Sequence, residues 1–211
     1  SDREYLSNII AIEAGNAYSL ALRNDGTVFA WGEVSNGKLG TVISSDVYTP
    51  AQVWKGESDT DTWYLENVIK ISAGSEHSAV INNRNEVYTW GKNTNGQLGN
   101  GTKDNSISPV RVEGIDNVVD IAVGLNHTLL LTNTGDIYAF GDGSNHQVIP
   151  ELTETALIPQ KLHIKSSLEI AAVYADNNTS YALTRNGDII AWGENTSYKF
   201  GDGDYYGNGI A

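Results

Sequence analysis

The chain has 211 residues and a formal net charge of −13, from 26 acidic and 13 basic residues. A surface that binds nucleic acid needs Lys and Arg to displace counterions from phosphates, and this sequence has no basic cluster of that kind. No apolar run approaches the roughly 18 residues that a membrane span needs. We therefore expect neither nucleic-acid binding nor membrane insertion. Cysteine is absent, which excludes disulfides and thiolate metal sites.

A short phrase that ends in an aromatic residue and a glycine occurs four times along the chain. It reads DGTVFAWG, NEVYTWG, GDIYAFG and GDIIAWG, and its aromatic residues are Trp31, Trp90, Phe140 and Trp192. A spacing near 50 residues indicates an array of equivalent small units. We predict a single domain, residues 1–211, with repeats at about 9–66, 67–116, 117–167 and 168–211, the last of them incomplete.

Each unit is predicted to form short β-strands. An apolar strand comes first and ends at a small pair such as Ala14-Gly15. An alternating run follows, and a turn rich in Asn, Asp and Gly joins it to the strand that carries the aromatic residue, which is typical of a β-hairpin. A later proline marks an outer strand, where a missing N–H is tolerated. Four strands per unit correspond to one blade of a β-propeller.

The second unit carries a longer and more specific pattern. Residues 73–101 read AGSEHSAVINNRNEVYTWGKNTNGQLGNG. This stretch resembles the hallmark of the regulator of chromosome condensation repeat family, and the other three units match that hallmark in part. The resemblance implies an all-β propeller, typically of seven blades, so four units imply an arc of about four blades from a larger ring. Such an arc would expose the apolar faces of its end blades, and we expect them to be covered or to allow self-association.

The residues that suggest chemistry at first sight occupy repeat positions. His77 and His127 share one position, which Tyr18 and Thr179 hold in the other units, so we assign them a structural role. The repeat tryptophans are assigned to the core for the same reason. The clustered acids near Glu57 lack the spacing of a calcium loop. No nucleophile elbow or phosphate-binding loop is found. We therefore predict no enzyme, no catalytic residue, no metal and no cofactor.

Aromatic residues outside the repeat pattern are the remaining candidates for a site. Residues 41–67 form the longest connection between units and carry several of them. Trp and Tyr are enriched among the residues that dominate protein interfaces. The predicted partner-binding residues are Tyr48, Trp54, Trp63 and Tyr64, with Tyr205 and Tyr206 near the C-terminus as a second group.

These observations favour a non-catalytic protein-binding or scaffold module whose propeller loops contact an unidentified protein. Two alternatives stay open at this point. The resemblance allows a guanine-nucleotide exchange factor for a small GTPase. The composition, with few Lys and many Asn, Asp, Thr and Tyr, resembles that of exported bacterial proteins. It allows a structural repeat segment of a larger bacterial surface protein, and it favours an extracellular or cell-surface location over the cytoplasm.

Overall fold

The computed structural model describes residues 5–55, 64–164 and 168–201. Over these residues the chain forms fifteen β-strands in four antiparallel sheets, which we call blades 1 to 4. Blade 1 contains β1 (Ile9–Gly15), β2 (Tyr18–Arg23), β3 (Val28–Gly32) and β4 (Val47–Gln52). Blade 2 contains β5 (Val68–Ala73), β6 (His77–Asn82), β7 (Val87–Gly91) and β8 (Ser106–Arg111).

The remaining two blades follow the same order. Blade 3 contains β9 (Val118–Val123), β10 (His127–Thr132), β11 (Ile137–Gly141) and β12 (Ala156–Lys161), and blade 4 contains β13 (Ile170–Asp176), β14 (Thr179–Thr184) and β15 (Ile189–Gly193) in the part of it that the structure describes. In every blade each strand pairs with the next one along the chain. The predicted all-β fold is therefore confirmed.

The central hairpin of each blade turns where the sequence predicts. The last turn residue is Gly26, Asn85, Gly135 or Gly187, and each has a positive φ, between 61° and 91°. Glycine adopts this backbone conformation without strain, and asparagine tolerates it better than most residues do. The turn chemistry therefore fixes the register that brings the aromatic residue of the third strand opposite the second strand.

The blades stack side by side around the inner strands, and consecutive inner strands β1, β5, β9 and β13 contact one another. The core lies between blades and is built from the faces that alternate along each strand. Trp90, Phe140 and Trp192 are fully buried in it, as their repeat position predicts, whereas Trp31 of blade 1 is only partly buried. Among the described residues, no helix is long and apolar enough to cross a membrane.

Within the described part of the chain, each of the two end blades has one apolar face that is not covered by another blade. Ile12 on β1 is 74% exposed, whereas its counterparts Ile71 and Ile121 are 3% exposed. At the other end, Ile189 on β15 is 67% exposed, whereas Val87 and Ile137 are 1% exposed at the same repeat position. These positions are apolar in every blade, and they are exposed where no neighbouring blade packs against them in the described residues.

Candidate functional site

The repeat histidines lie at the boundaries between blades. His77 Nε2 is 2.9 Å from the Thr128 hydroxyl oxygen of blade 3, and that hydroxyl donates to the Gln97 carbonyl at 2.9 Å. Because a hydroxyl has one hydrogen, His77 must carry its proton on Nε2 and donate it to Thr128. His77 Nδ1 is buried with no hydrogen-bond partner among the described residues.

The same arrangement links the other blades. His127 Nε2 lies 2.9 Å from Ser180 Oγ, which donates to the Gln147 carbonyl at 2.7 Å. At the first boundary, Tyr18 replaces the histidine, and its hydroxyl lies 2.9 Å from Ser78 Oγ. These three positions therefore serve as polar links between neighbouring blades.

Burial determines the protonation state of both histidines. Burial, with a smaller contribution from the nearby His127, lowers the pKa of His77 to about 3. Loss of solvent likewise lowers the pKa of His127 to about 4. A proton added to either ring would place a charge in the buried boundary between blades, which is costly. Both imidazoles are neutral structural groups at pH 7, enclosed between blades and closed to substrate.

The loops after the third strands differ between blades. In blade 2, Asn93 Oδ1 accepts the Leu98 N–H at 3.0 Å, and Asn93 Nδ2 donates to Asn100 Oδ1 at 3.1 Å. Asn100 Oδ1 also accepts the Thr102 N–H at 3.2 Å. A buried asparagine thus organises a loop whose outer residues are polar.

Blade 1 has a loop of the same length with different side chains. Val34 stands where blade 2 has Asn93, and Thr41, Val42 and Ile43 stand where it has Asn100, Gly101 and Thr102. Without the asparagine amide, the buried Thr41 Oγ1 has no hydrogen-bond partner among the described residues. Val42 is 63% exposed and Ile43 is 41% exposed. Blade 1 therefore exposes two apolar side chains in this loop where blade 2 has Gly101 and Thr102.

This loop borders a cavity at the outer edge of blade 1. The cavity has a volume of about 330 Å³ and is lined by Thr41, Val42, Ile43, Ala51, Gln52, Trp54 and Tyr64. Trp54 and Tyr64 form an isolated antiparallel bridge, which brings two parts of the long connection side by side. Tyr64 is 46% exposed. We call the surface formed by Val42, Ile43, Trp54 and Tyr64 the rim patch.

The structure brings together two of the predicted partner-binding residues. Trp54 and Tyr64 both line the cavity. Tyr48 projects from β4 with 90% exposure and does not line it. Trp63, Tyr205 and Tyr206 lie outside the described residues.

The sequence prediction did not include Thr41, Val42 and Ile43. The signal that could have found them is the contrast between Thr-Val-Ile in the first unit and Asn-Gly-Thr at the aligned positions of the second. Over residues 5–55, 64–164 and 168–201, no group of three or more His, Asp or Glu side chains is placed to hold a metal ion.

Repeated four-stranded blades linked through their inner edges define a β-propeller arc. The model of the RCC1-like domain matches residues 2–208 of the chain. The chain belongs to the RCC1-like domain family. The family predicted from the repeats is therefore confirmed.

One relative and two solved structures of a second protein illustrate the match. The human E3 ubiquitin-protein ligase HERC2 is 30% identical over 198 residues, which are 92% of this chain and 4% of that protein. Yeast RCC1 (Prp20), solved with Kap60 bound to it, has a TM-score of 0.79 and 25% identity over 98% of this chain and 49% of its own. A second structure, of Prp20p from Saccharomyces cerevisiae, has a TM-score of 0.80 and 24% identity over 99% of this chain and 50% of its own. The chain thus spans half of these solved propellers and a small part of the ligase.

Proposed function

We propose that the chain is a non-catalytic protein-binding module and that it contacts its partner through the rim patch. The observation that carries this proposal is the exposure of Val42 and Ile43 at positions where blade 2 has Gly101 and Thr102. Scattered exposed apolar side chains are ordinary, but a contiguous group beside a cavity is typical of an interaction surface. Trp54 and Tyr64 add the residue types that are most enriched at interfaces.

The relatives support a protein partner. The yeast RCC1 propeller is found bound to the protein Kap60. Prp20p has binding properties to Gsp1p and to histones. A nucleotide-exchange activity and a purely structural role are the two alternatives to this proposal. The bacterial origin and the cell-surface location expected from composition also stay predictions, since the relatives named above are from human and yeast.

Quantitative capture with matched variants tests the proposal. The immobilised chain is compared with its Ile43→Asp and Trp54→Ala variants, and with Ile158→Asp as control. Ile158 lies on the outer strand β12 and is 55% exposed, so its substitution adds the same charge away from the rim patch. We expect a protein that is retained by the wild type and the control and lost by both patch variants.

The result that would contradict the proposal is a set of captured proteins that does not change with either patch variant. That outcome would favour the structural-segment alternative. Accelerated nucleotide release from a small GTPase on addition of the chain, undiminished in Ile43→Asp, would favour the exchange-factor alternative.

A further inference from the structure

The cavity of the rim patch has the size and lining of a pocket for one side chain. Its volume of about 330 Å³ lies at the lower end of the range for ligand pockets. Val42, Ile43, Ala51, Trp54 and Tyr64 all line it with apolar surface, and Val42 and Tyr64 are also exposed to solvent. A ligand that uses both the cavity and the surrounding surface must continue past the pocket, as a polypeptide chain does.

Thr41 contributes a hydroxyl group to the residues around the cavity. Its Oγ1 is buried, lacks a hydrogen-bond partner among the described residues, and belongs to a residue that lines the cavity. Blade 2 satisfies the equivalent atom, Asn100 Oδ1, through Asn93 Nδ2. A buried unpaired hydroxyl is costly, so an occupant that pairs with it is favoured. A peptide backbone offers an N–H and a C=O, and it can therefore pair with this hydroxyl as donor or as acceptor.

The acidic net charge of the chain favours a basic partner segment over an acidic one. The chain carries 26 acidic residues against 13 basic ones. Asp46 and Glu66 are exposed near the two ends of the patch in sequence. Tyr64 and Glu66 line a neighbouring cavity with Glu86, Lys55 and Arg84, so both signs of charge lie beside that end of the patch. At long range the net charge of −13 dominates, and it attracts a basic segment and repels an acidic one.

We propose that the cavity beside Thr41 receives a large apolar side chain of a partner polypeptide, and that Lys or Arg residues flank this side chain in the partner. The inference rests on the proposed function, and it specifies the chemistry that the rim patch recognises. The apolar side chain fills the cavity, its backbone pairs with Thr41 Oγ1, and the flanking cations face the acidic surface.

A phage-displayed library of random 12-residue peptides tests this inference. The library is selected on the 211-residue chain and counter-selected on Ile43→Asp. We expect the enriched peptides to share one large apolar residue with neighbouring Lys or Arg. A synthetic peptide from this group should bind Ile43→Asp at least about tenfold more weakly. It should bind Thr41→Val, which keeps the shape and removes the hydroxyl, about two- to tenfold more weakly.

Three controls keep the result interpretable. Ile158→Asp should bind the peptide as the wild type does. Unchanged thermal unfolding of Thr41→Val excludes a folding defect as the cause of weaker binding. Addition of salt should weaken binding, because the flanking charges act through solvent.

Enriched peptides that are acidic, that lack an apolar anchor, or that bind Thr41→Val as tightly as the wild type would overturn the inference. So would a selection that yields no peptide sensitive to Ile43→Asp. If any of these results accompanied a protein captured through the rim patch, the proposed function would stand and only this recognition chemistry would fail. Loss of patch-dependent capture as well would remove both.

Discussion

His77 Nε2 lies 2.9 Å from the hydroxyl oxygen of Thr128, across the boundary between blades 2 and 3. The next boundary repeats this contact between His127 and Ser180 at the same distance. Each hydroxyl in turn donates to a loop carbonyl of the preceding blade. Neighbouring blades are therefore joined by a polar chain that requires a neutral imidazole.

The first prediction concerns pH. Both histidines have a folded-state pKa well below the ordinary value of 6.5, because burial disfavours the charged ring. The unfolded chain therefore binds more protons below pH 6.5, and stability falls as the pH drops toward the folded pKa values of about 4 and about 3. We expect the free energy of unfolding to decrease by about 2 kcal/mol per histidine between pH 7 and pH 5.

Urea unfolding at pH 7 and pH 5 measures this effect. The His77→Gln/His127→Gln variant serves as control, since glutamine keeps an N–H donor and does not titrate. The variant should lose most of the pH dependence in this interval. Equal pH dependence in wild type and variant would show that the histidines are not responsible.

A second prediction concerns Asp120, which ties three blades together near the axis. Its carboxylate forms an ion pair with Lys70 of blade 2 and accepts the Val173 N–H of blade 4 at 3.0 Å. The Asp120 side chain is 9% exposed, so water cannot replace its ion pair and hydrogen bond when the carboxylate is removed. We expect Asp120→Asn to destabilise the chain by about 1.5–3 kcal/mol in urea unfolding.

The matched control for Asp120 is Asp136→Asn. Asp136 pairs with Lys161 at 3.0 Å, but both side chains are well exposed. Exposed ion pairs contribute about 0–1 kcal/mol. Similar costs for the two substitutions would refute the role assigned to Asp120.

A third prediction tests why the loop of blade 1 is unusual. In Val34→Asn, the new amide should pair with Thr41 Oγ1 and with the Leu39 N–H, as Asn93 does with Asn100 and with Leu98 in blade 2. We expect stabilisation of about 1 kcal/mol in urea unfolding, because a buried hydroxyl gains its partner. Val34→Leu, which adds no polar group, should give no such gain. A Val34→Asn variant no more stable than the wild type would mean that Thr41 is not accessible to the amide.

A fourth prediction concerns the exposed end faces. We expect the chain to self-associate at high concentration, and Ile12→Glu or Ile189→Glu to reduce this association in light scattering after size exclusion. Each substitution puts a charge on an apolar face that is now in water. Ile158→Glu should leave the association unchanged. A wild-type chain that stays at its monomer mass of 22.8 kDa at every concentration would contradict this prediction.

Blade 4 differs from the other blades in the residues that would contact a following blade. This difference restricts how another element can pack on that face. A Cβ at Gly15, Gly74 or Gly124 would come within 2.3–2.8 Å of a carbonyl oxygen of the next blade. The corresponding residue of blade 4 is Asp176, which has a Cβ. In addition, the Tyr181 hydroxyl donates to the Lys199 carbonyl at 3.2 Å, at the position where a following blade would donate. Blades 2, 3 and 4 each pack on the preceding blade in the same way. An element that covers blade 4 must pack on it in a different way.

The fold could be predicted from the sequence because its determinants are local and repeated. The turn residues Gly26 and Asn85 define the hairpins, and the aromatic residues at Trp90 and Trp192 recur at blade spacing. The structural role of His77 followed from the fact that Tyr18 and Thr179 occupy its position. Comparing the aligned positions of the four repeats was sufficient, because a residue type that changes between repeats at one position is not required there for chemistry.

The candidate site was only partly predictable because it depends on a contact between loops. Trp54 and Tyr64 could be selected as aromatic residues outside the repeat pattern. Among the described residues, the Thr41 hydroxyl is unpaired because Val34 replaces the asparagine that supplies an amide in blade 2. This difference can be recognised only when the loop geometry of blade 2 is known. The isolated exposure of Tyr48 likewise depends on which way β4 presents it.

Hydrogen–deuterium exchange of the chain, alone and with its captured partner, tests the central claim most directly. If the rim patch is the binding surface, protection should appear in residues 41–46 and in the segments that carry Trp54 and Tyr64. Protection confined to the hairpin turns around Gly26 and Asn85, at the opposite ends of β3 and β7, would contradict the claim that this chain binds its partner through the rim patch.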